Sequence, residues 1–251
     1  MQGLIRTNEG LDEQAIPFYT KAITLKPDYA EALMMRGATL LRLGEHGKAL
    51  NDLDKAINAN PKEVKAYNYR AHCFLELKDN RRAIADFTKV IELNPDYANA
   101  YDNRGQVLFA TGKYHDALPD FDKAIMLNPK YHEALFRRAR AELAIGDTVS
   151  AFRDLNSAIR INDRDAQYLT LRGFLYLVKG DLKNAAKDLS KAIKLDPDFD
   201  RPYLYRAKIR IAEDQLKLAC VDLRIAGGLG NLEAKELIEV YCFNPEEETA
   251  Q

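Results

Sequence analysis

The stretch "ALPDFDKAIMLNP", residues 117–129, decides how the whole chain is read. Ala117, Phe121, Ala124 and Ile125 fall on one face at helical spacing. Pro129 closes the segment, because proline disfavours helix in the residue before it. At steps of 34 residues the pattern returns: "ALNDLDKAINANP" from 49, "AIADFTKVIELNP" from 83, "AFRDLNSAIRIND" from 151 and "AAKDLSKAIKLDP" from 185. The first copy, "AIPFYTKAITLKP", starts at 15, and a degraded one, "ACVDLRIAGGLGN", at 219.

Between these copies lies a second amphipathic pattern, for example Ala98 to Thr111, closed by Gly112. The repeating unit is therefore helix, tight turn, helix, turn. Small residues mark the closest approach of the two helices: Gly37, Ala71, Gly105, Ala139, Gly173 and Ala207 on the first, and Ala49 through Ala219 on the second. Neither helix can bury its apolar stripe alone, so the units must stack on one another. The spacing predicts an all-α solenoid of stacked antiparallel helix pairs.

Bulk composition agrees. The 251 residues are 47% hydrophobic and 30% charged, with a net charge of −1. No global field draws such a chain to nucleic acid or to an anionic membrane. No apolar run is long enough to span a bilayer, and the first ten residues lack the basic-then-apolar pattern of a signal peptide. Cys73, Cys220 and Cys242 contain no CxxC and build no disulfide framework, which makes a reducing, cytoplasmic setting the default expectation. An upstream signal would be invisible if the chain is a fragment.

The 34-residue step, the Gly/Ala positions, the Ala-x3-Phe/Leu-x2-Ala run and the closing proline together resemble the tetratricopeptide repeat family, over nearly the whole chain. The resemblance implies a right-handed superhelical array. Seven units are expected over residues 1–233, the first truncated and the others starting near 30, 64, 98, 132, 166 and 200. A capping helix and a disordered tail are expected over 234–251, with Asn231 as the cap residue of a helix from about 232 to 243. Gly3 corresponds to Gly37, so the first unit starts part-way through its first helix; either that helix is short or, the favoured expectation, the chain is cut from a longer protein.

Two departures from the family pattern matter. Its tryptophan is replaced by Leu33, Tyr67, Tyr101, Leu135, Leu169 and Tyr203. Its leucine before the small residue is replaced by Arg36, Arg70, Arg104, Arg138, Arg172 and Arg206. An aspartate recurs 16 residues after each arginine: Asp52, Asp86, Asp120, Asp154, Asp188 and Asp222. Both series border buried helix faces, so the charges should pair as a structural ladder. Arg104 could bond Asp120 or the preceding unit's Asp86, and the sequence does not choose. In the first unit Gln2 and Phe18 hold the two slots, so both charges vanish together. The rival reading is an arginine row gripping anions, which the matched aspartates would neutralise.

No catalytic or metal-binding constellation is present. His46, His72, His115 and His132 are scattered, and no HExxH or glycine-rich phosphate loop occurs. No cofactor is expected, and the chain reads as a non-enzymatic scaffold for a protein or peptide. The resemblance implies ligand contacts from slots two, five, six, nine and twelve of each unit. It singles out Asn68, His72, Asn103 and Gln106 in the amide-rich amino half, and Phe136, Arg137, Arg140, Phe174, Tyr205 and Lys208 in the carboxyl half. The latter set suits a peptide with acidic and apolar groups. The family's clamp for chaperone tails matches only at Asn103 and Arg137, with both lysines missing. Two alternatives are a self-associating assembly scaffold and a regulatory or targeting segment of a larger enzyme. Nucleic acid and membrane insertion are not expected.

Overall fold

In the computed structural model, which describes Arg6 and residues 11–242, every periodic segment is a helix, and no strand occurs among the described residues. The expected truncated first helix and the disordered tail lie outside the described residues. Helix α1 spans Asp12–Leu25. Three complete pairs follow: α2 (Ala30–Arg42) with α3 (His46–Ala59), α4 (Val64–Glu76) with α5 (Asn80–Leu93), and α6 (Ala98–Ala110) with α7 (Tyr114–Leu127). Then come α8 (His132–Ala144) with α9 (Thr148–Ile161), α10 (Ala166–Val178) with α11 (Leu182–Leu195), and α12 (Asp200–Ala212) with α13 (Leu216–Gly228). Helix α14 (Leu232–Tyr241) packs on α13. No described helix is long and apolar enough to cross a membrane.

The chain forms two compact units, Met1–Pro129 and Lys130–Gln251. In each, a second helix buries its alanine pair completely, as Ala117 with Ala124 in α7 and Ala185 with Ala192 in α11 show, and α5 uses Ala83 with Val90. The large residue between the alanines, Leu53, Phe87, Phe121, Leu155, Leu189 or Leu223, is fully enclosed. This close approach explains the small residue on the first helix. A Cβ added to Gly105 would lie 2.8 Å from Phe121 Cε1, and one on Gly37 would lie 2.8 Å from Leu53 Cγ. Ala71 occupies the same slot and shares a core cluster with Phe87, so in that unit the packing accommodates a methyl group.

First helices end in a left-handed residue, which lets the chain reverse tightly. Gly112 takes φ 77° and Gly180 takes φ 77°, but Lys78 (φ 60°) and Asp214 (φ 57°) hold the same slot without glycine's freedom. At the carboxyl side, Asn231 Oδ1 accepts the Ala234 amide at 2.9 Å and so caps α14. Leu237 and Ile238 pack on the core beneath. Glu233, Lys235, Glu236 and Glu239 are exposed on α14, alongside Tyr241 at 42% and Val240 at 69%.

One expectation about cysteine needs correction. Cys220 in α13 and Cys242, just after α14, are joined by a disulfide with a Cα–Cα distance of 5.5 Å. Two cysteines 22 residues apart in sequence meet because α14 folds back antiparallel to α13. Cys73 is buried, and desolvation pushes its thiol up to about 11, so it is unreactive.

Candidate functional site

The most regular polar feature is the ladder. Arg104 donates from Nε and Nη2 to both carboxylate oxygens of Asp120, at 2.8 and 2.7 Å. The same two-pronged bond joins Arg36 to Asp52, Arg70 to Asp86, Arg138 to Asp154, Arg172 to Asp188 and Arg206 to Asp222. Each arginine therefore pairs with the aspartate of its own unit. Its remaining nitrogen, Nη1, reaches back to the preceding unit: Arg36 to Thr20, Arg70 to Asp54, Arg104 to Thr88, Arg172 to Asn156 and Arg206 to Ser190. One guanidinium thus closes its own hairpin and ties it to its neighbour. Asp120 is 5% exposed, while its arginine keeps 22% of its side chain in water. The bond to Asp120 raises the Arg104 pKa above its usual value, with burial opposing.

The candidate binding residues gather as two sets, one in each unit. In Met1–Pro129, Asn103 Nδ2 lies 3.4 Å from His72 Nε2, and Gln106 donates to Asp102 at 3.1 Å. His72 packs edge-on against Phe87 with centroids 5.4 Å apart. Its burial lowers the imidazole pKa, against the pull of Glu76. Asn68 Oδ1 is buried and accepts no hydrogen bond from the described residues. Beside this set, Leu41, Arg42, Gly44, His46, His72 and Glu76 line a hollow of about 490 Å³. Among the described residues no group of three His, Cys, Asp or Glu side chains could hold a metal.

In Lys130–Gln251 the set is aromatic and cationic. Phe136 lies tilted against Tyr168 with ring centroids 4.6 Å apart, and Phe174 against Tyr205 at 5.1 Å. Arg140 reaches over the Phe136 ring at 5.8 Å. Partial burial lowers the Arg140 pKa, and the nearby charges of Arg201 and Arg137 push in the same direction. Lys208 is committed elsewhere: its Nζ meets Glu233 of α14 at 2.5 Å.

Tyr168 is a member that the slot pattern passed over. It is 3% exposed and its hydroxyl lies 3.0 Å from His132 Nδ1. A signal for it exists in the sequence. Its slot holds Ala32, Ala66, Ala100 and Ala134 in four earlier units, so a tyrosine there breaks the repeat.

Tetratricopeptide repeat models match residues 1–29, 30–63, 64–97, 87–118, 103–166 and 166–199. A tetratricopeptide repeat protein from Parabacteroides merdae superposes with a TM-score of 0.69 at 24% identity, over 96% of each chain. The pilF protein of Pseudomonas aeruginosa gives 0.74 at 17% identity, over 83% of this chain and 96% of its own. YrrB, described as having an unusual peptide-binding site, gives 0.63 at 23% identity, over 73% of this chain and 95% of its own. At such identities the likeness shows the fold alone. None of the curated proteins compared matches the chain in sequence.

Proposed function

The chain belongs to the tetratricopeptide repeat family, and from that premise we propose that it is a non-enzymatic scaffold whose carboxyl-side unit binds an acidic peptide with apolar neighbours. The observation that carries the reading is Arg140 lying over the Phe136 ring, next to the aromatic pairs Phe136–Tyr168 and Phe174–Tyr205. A carboxylate on the ligand complements the arginines in charge, which favours encounter and fixes register. The aromatic faces supply apolar area at small entropic cost, and arginine and aromatic groups commonly dominate binding energy. The ladder plays a different part: its guanidinium groups are already occupied by carboxylates of the same unit.

Selection of random peptides on the immobilised protein tests this. The wild type should enrich peptides carrying Asp or Glu beside aliphatic or aromatic residues. Arg137→Glu combined with Arg140→Glu should weaken the best of them by about 30-fold or more, the loss expected of a binding hot spot. Enrichment without acidic bias, or equal affinity for wild type and variant, would refute the reading.

A further inference from the structure

The net charge of −1 conceals how the charges of the Lys130–Gln251 unit are sorted. On α9, α11 and α13 the acidic residues are Asp154, Asp188 and Asp222, and all three are buried in the ladder. Everything charged on the outer faces of these helices is therefore cationic. Helix α11 carries Lys183, Lys187, Lys191 and Lys194 at helical spacing, on the side opposite Ala185, Leu189 and Ala192. Helix α9 adds Arg153 and Arg160, and α13 adds Lys217 and Arg224, all exposed. Lys191 is held by Asp163 at 2.7 Å, but Lys187, Lys194, Lys217 and Arg224 make no ion pair among the described residues. The acids of the region sit at helix starts and turns, such as Asp147, Asp181, Asp196 and Asp198.

These helices are neighbours. Arg172 bonds Asn156 of α9 and Asp188 of α11, and Arg206 bonds Ser190 of α11 and Asp222 of α13. A single guanidinium spans each gap. The cations thus form one band across adjoining helices rather than three isolated stripes.

The band ends in an apolar ridge. Leu218, Val221 and Ile225 of α13 are 50%, 52% and 39% exposed. At the same slots the preceding units carry Asn184 and Ser150, Lys187 and Arg153, and Lys191 and Ser157. Burial within the fold explains none of the three replacements, because the side chains face water. Such a face is costly to leave bare and marks a contact surface.

We propose that this face docks on an anionic lipid bilayer. Protein interfaces favour aromatic residues and arginine and are poor in lysine. Here the free cations are mostly lysines and the ridge is purely aliphatic. Lysines beside exposed aliphatic side chains, on the outer face of a helix, are the combination that settles at a lipid headgroup boundary. Nucleic acid would use the cations and leave the ridge without a role. This inference is independent of the peptide site, which involves the first helices.

Flotation with phosphatidylcholine vesicles, with and without 30 mol% phosphatidylserine, provides the test. The whole protein should float with the anionic vesicles and stay behind with the neutral ones. Each cation near such a surface contributes about fivefold in partitioning, so Lys187→Gln, Lys194→Gln and Lys217→Gln together should lower binding by about 100-fold. Val221→Ser with Ile225→Ser should lose the binding that survives at high salt. All these positions are exposed, and an unchanged melting curve verifies the fold of each variant. Arg137→Glu with Arg140→Glu should leave flotation unchanged, separating this surface from the peptide site. No flotation, equal flotation with neutral vesicles, or an unaffected triple variant would overturn the proposal. So would tight binding to duplex DNA or RNA by a protein that ignores vesicles.

Discussion

The two compact units use the same helix pair and the same arginine–aspartate bond, but they fill the variable slots differently. In Met1–Pro129 the first helices present amides and an imidazole, with Asn103 beside His72 and Gln106 bonded to Asp102. In Lys130–Gln251 they present arginine beside aromatic pairs, as Arg140 does over Phe136. The second helices differ too: Asp54, Glu92, Asp116 and Asp122 interrupt the cations of the first unit, and nothing equivalent does so in the second. Slots that carry the fold are conserved between the halves of one molecule, and slots that face outward are free to diverge. The contrast separates residues that hold the array together from residues that give each half its surface.

The common element should give the largest effect. Asp120→Ala in the first unit and Asp188→Ala in the second each strand a partly buried guanidinium. Each should cost about 3–5 kcal/mol in urea or thermal unfolding, the range for breaking a buried pair from one side. Equal losses would show that the ladder serves both halves alike; a loss near zero in either would break the comparison. The disulfide exists only in the second unit. Cys242→Ser should cost about 2–4 kcal/mol and loosen α14, seen as faster amide exchange over 232–242, with α4 and α5 unaffected.

A smaller effect appears once in each unit. Lys78→Gly and Asp214→Gly place glycine where φ is positive and should each stabilise the protein by about 1 kcal/mol, read as a raised melting temperature. The smallest is confined to the first unit. Burial lowers the folded-state pKa of His72 below its unfolded value of about 6.5, so the neutral form is favoured in the fold. The associated stability is complete above that value and is withdrawn as pH falls through the lowered folded one. His72→Gln should therefore flatten the fall in melting temperature between pH 7.5 and pH 5, and an unchanged slope would remove His72 from the account.

Helix phase and repeat length could be read without coordinates, because both are local. Ala117, Phe121 and Ala124 declare a buried face through their spacing alone, and Pro129 and Gly112 declare its ends. That arginine and aspartate face each other could be inferred the same way, since each series borders a buried stripe. The sequence also singled out Phe136, Arg140, Phe174 and Tyr205 by slot. It missed Tyr168, whose slot is ordinarily filled by alanine, and it gave no sign that Lys208 would be taken by Glu233.

What the sequence by itself determined is the unit, its period and the face each helix hides, since these follow from backbone geometry over a few turns. Tertiary structure alone decided that Arg104 takes Asp120 with two nitrogens and Thr88 with the third, and that Cys220 meets Cys242. It also decided that cations from three separate helices form one band. Each of these depends on the axial offset and crossing of different helices. A periodic sequence specifies which face is presented and leaves open which neighbour it meets.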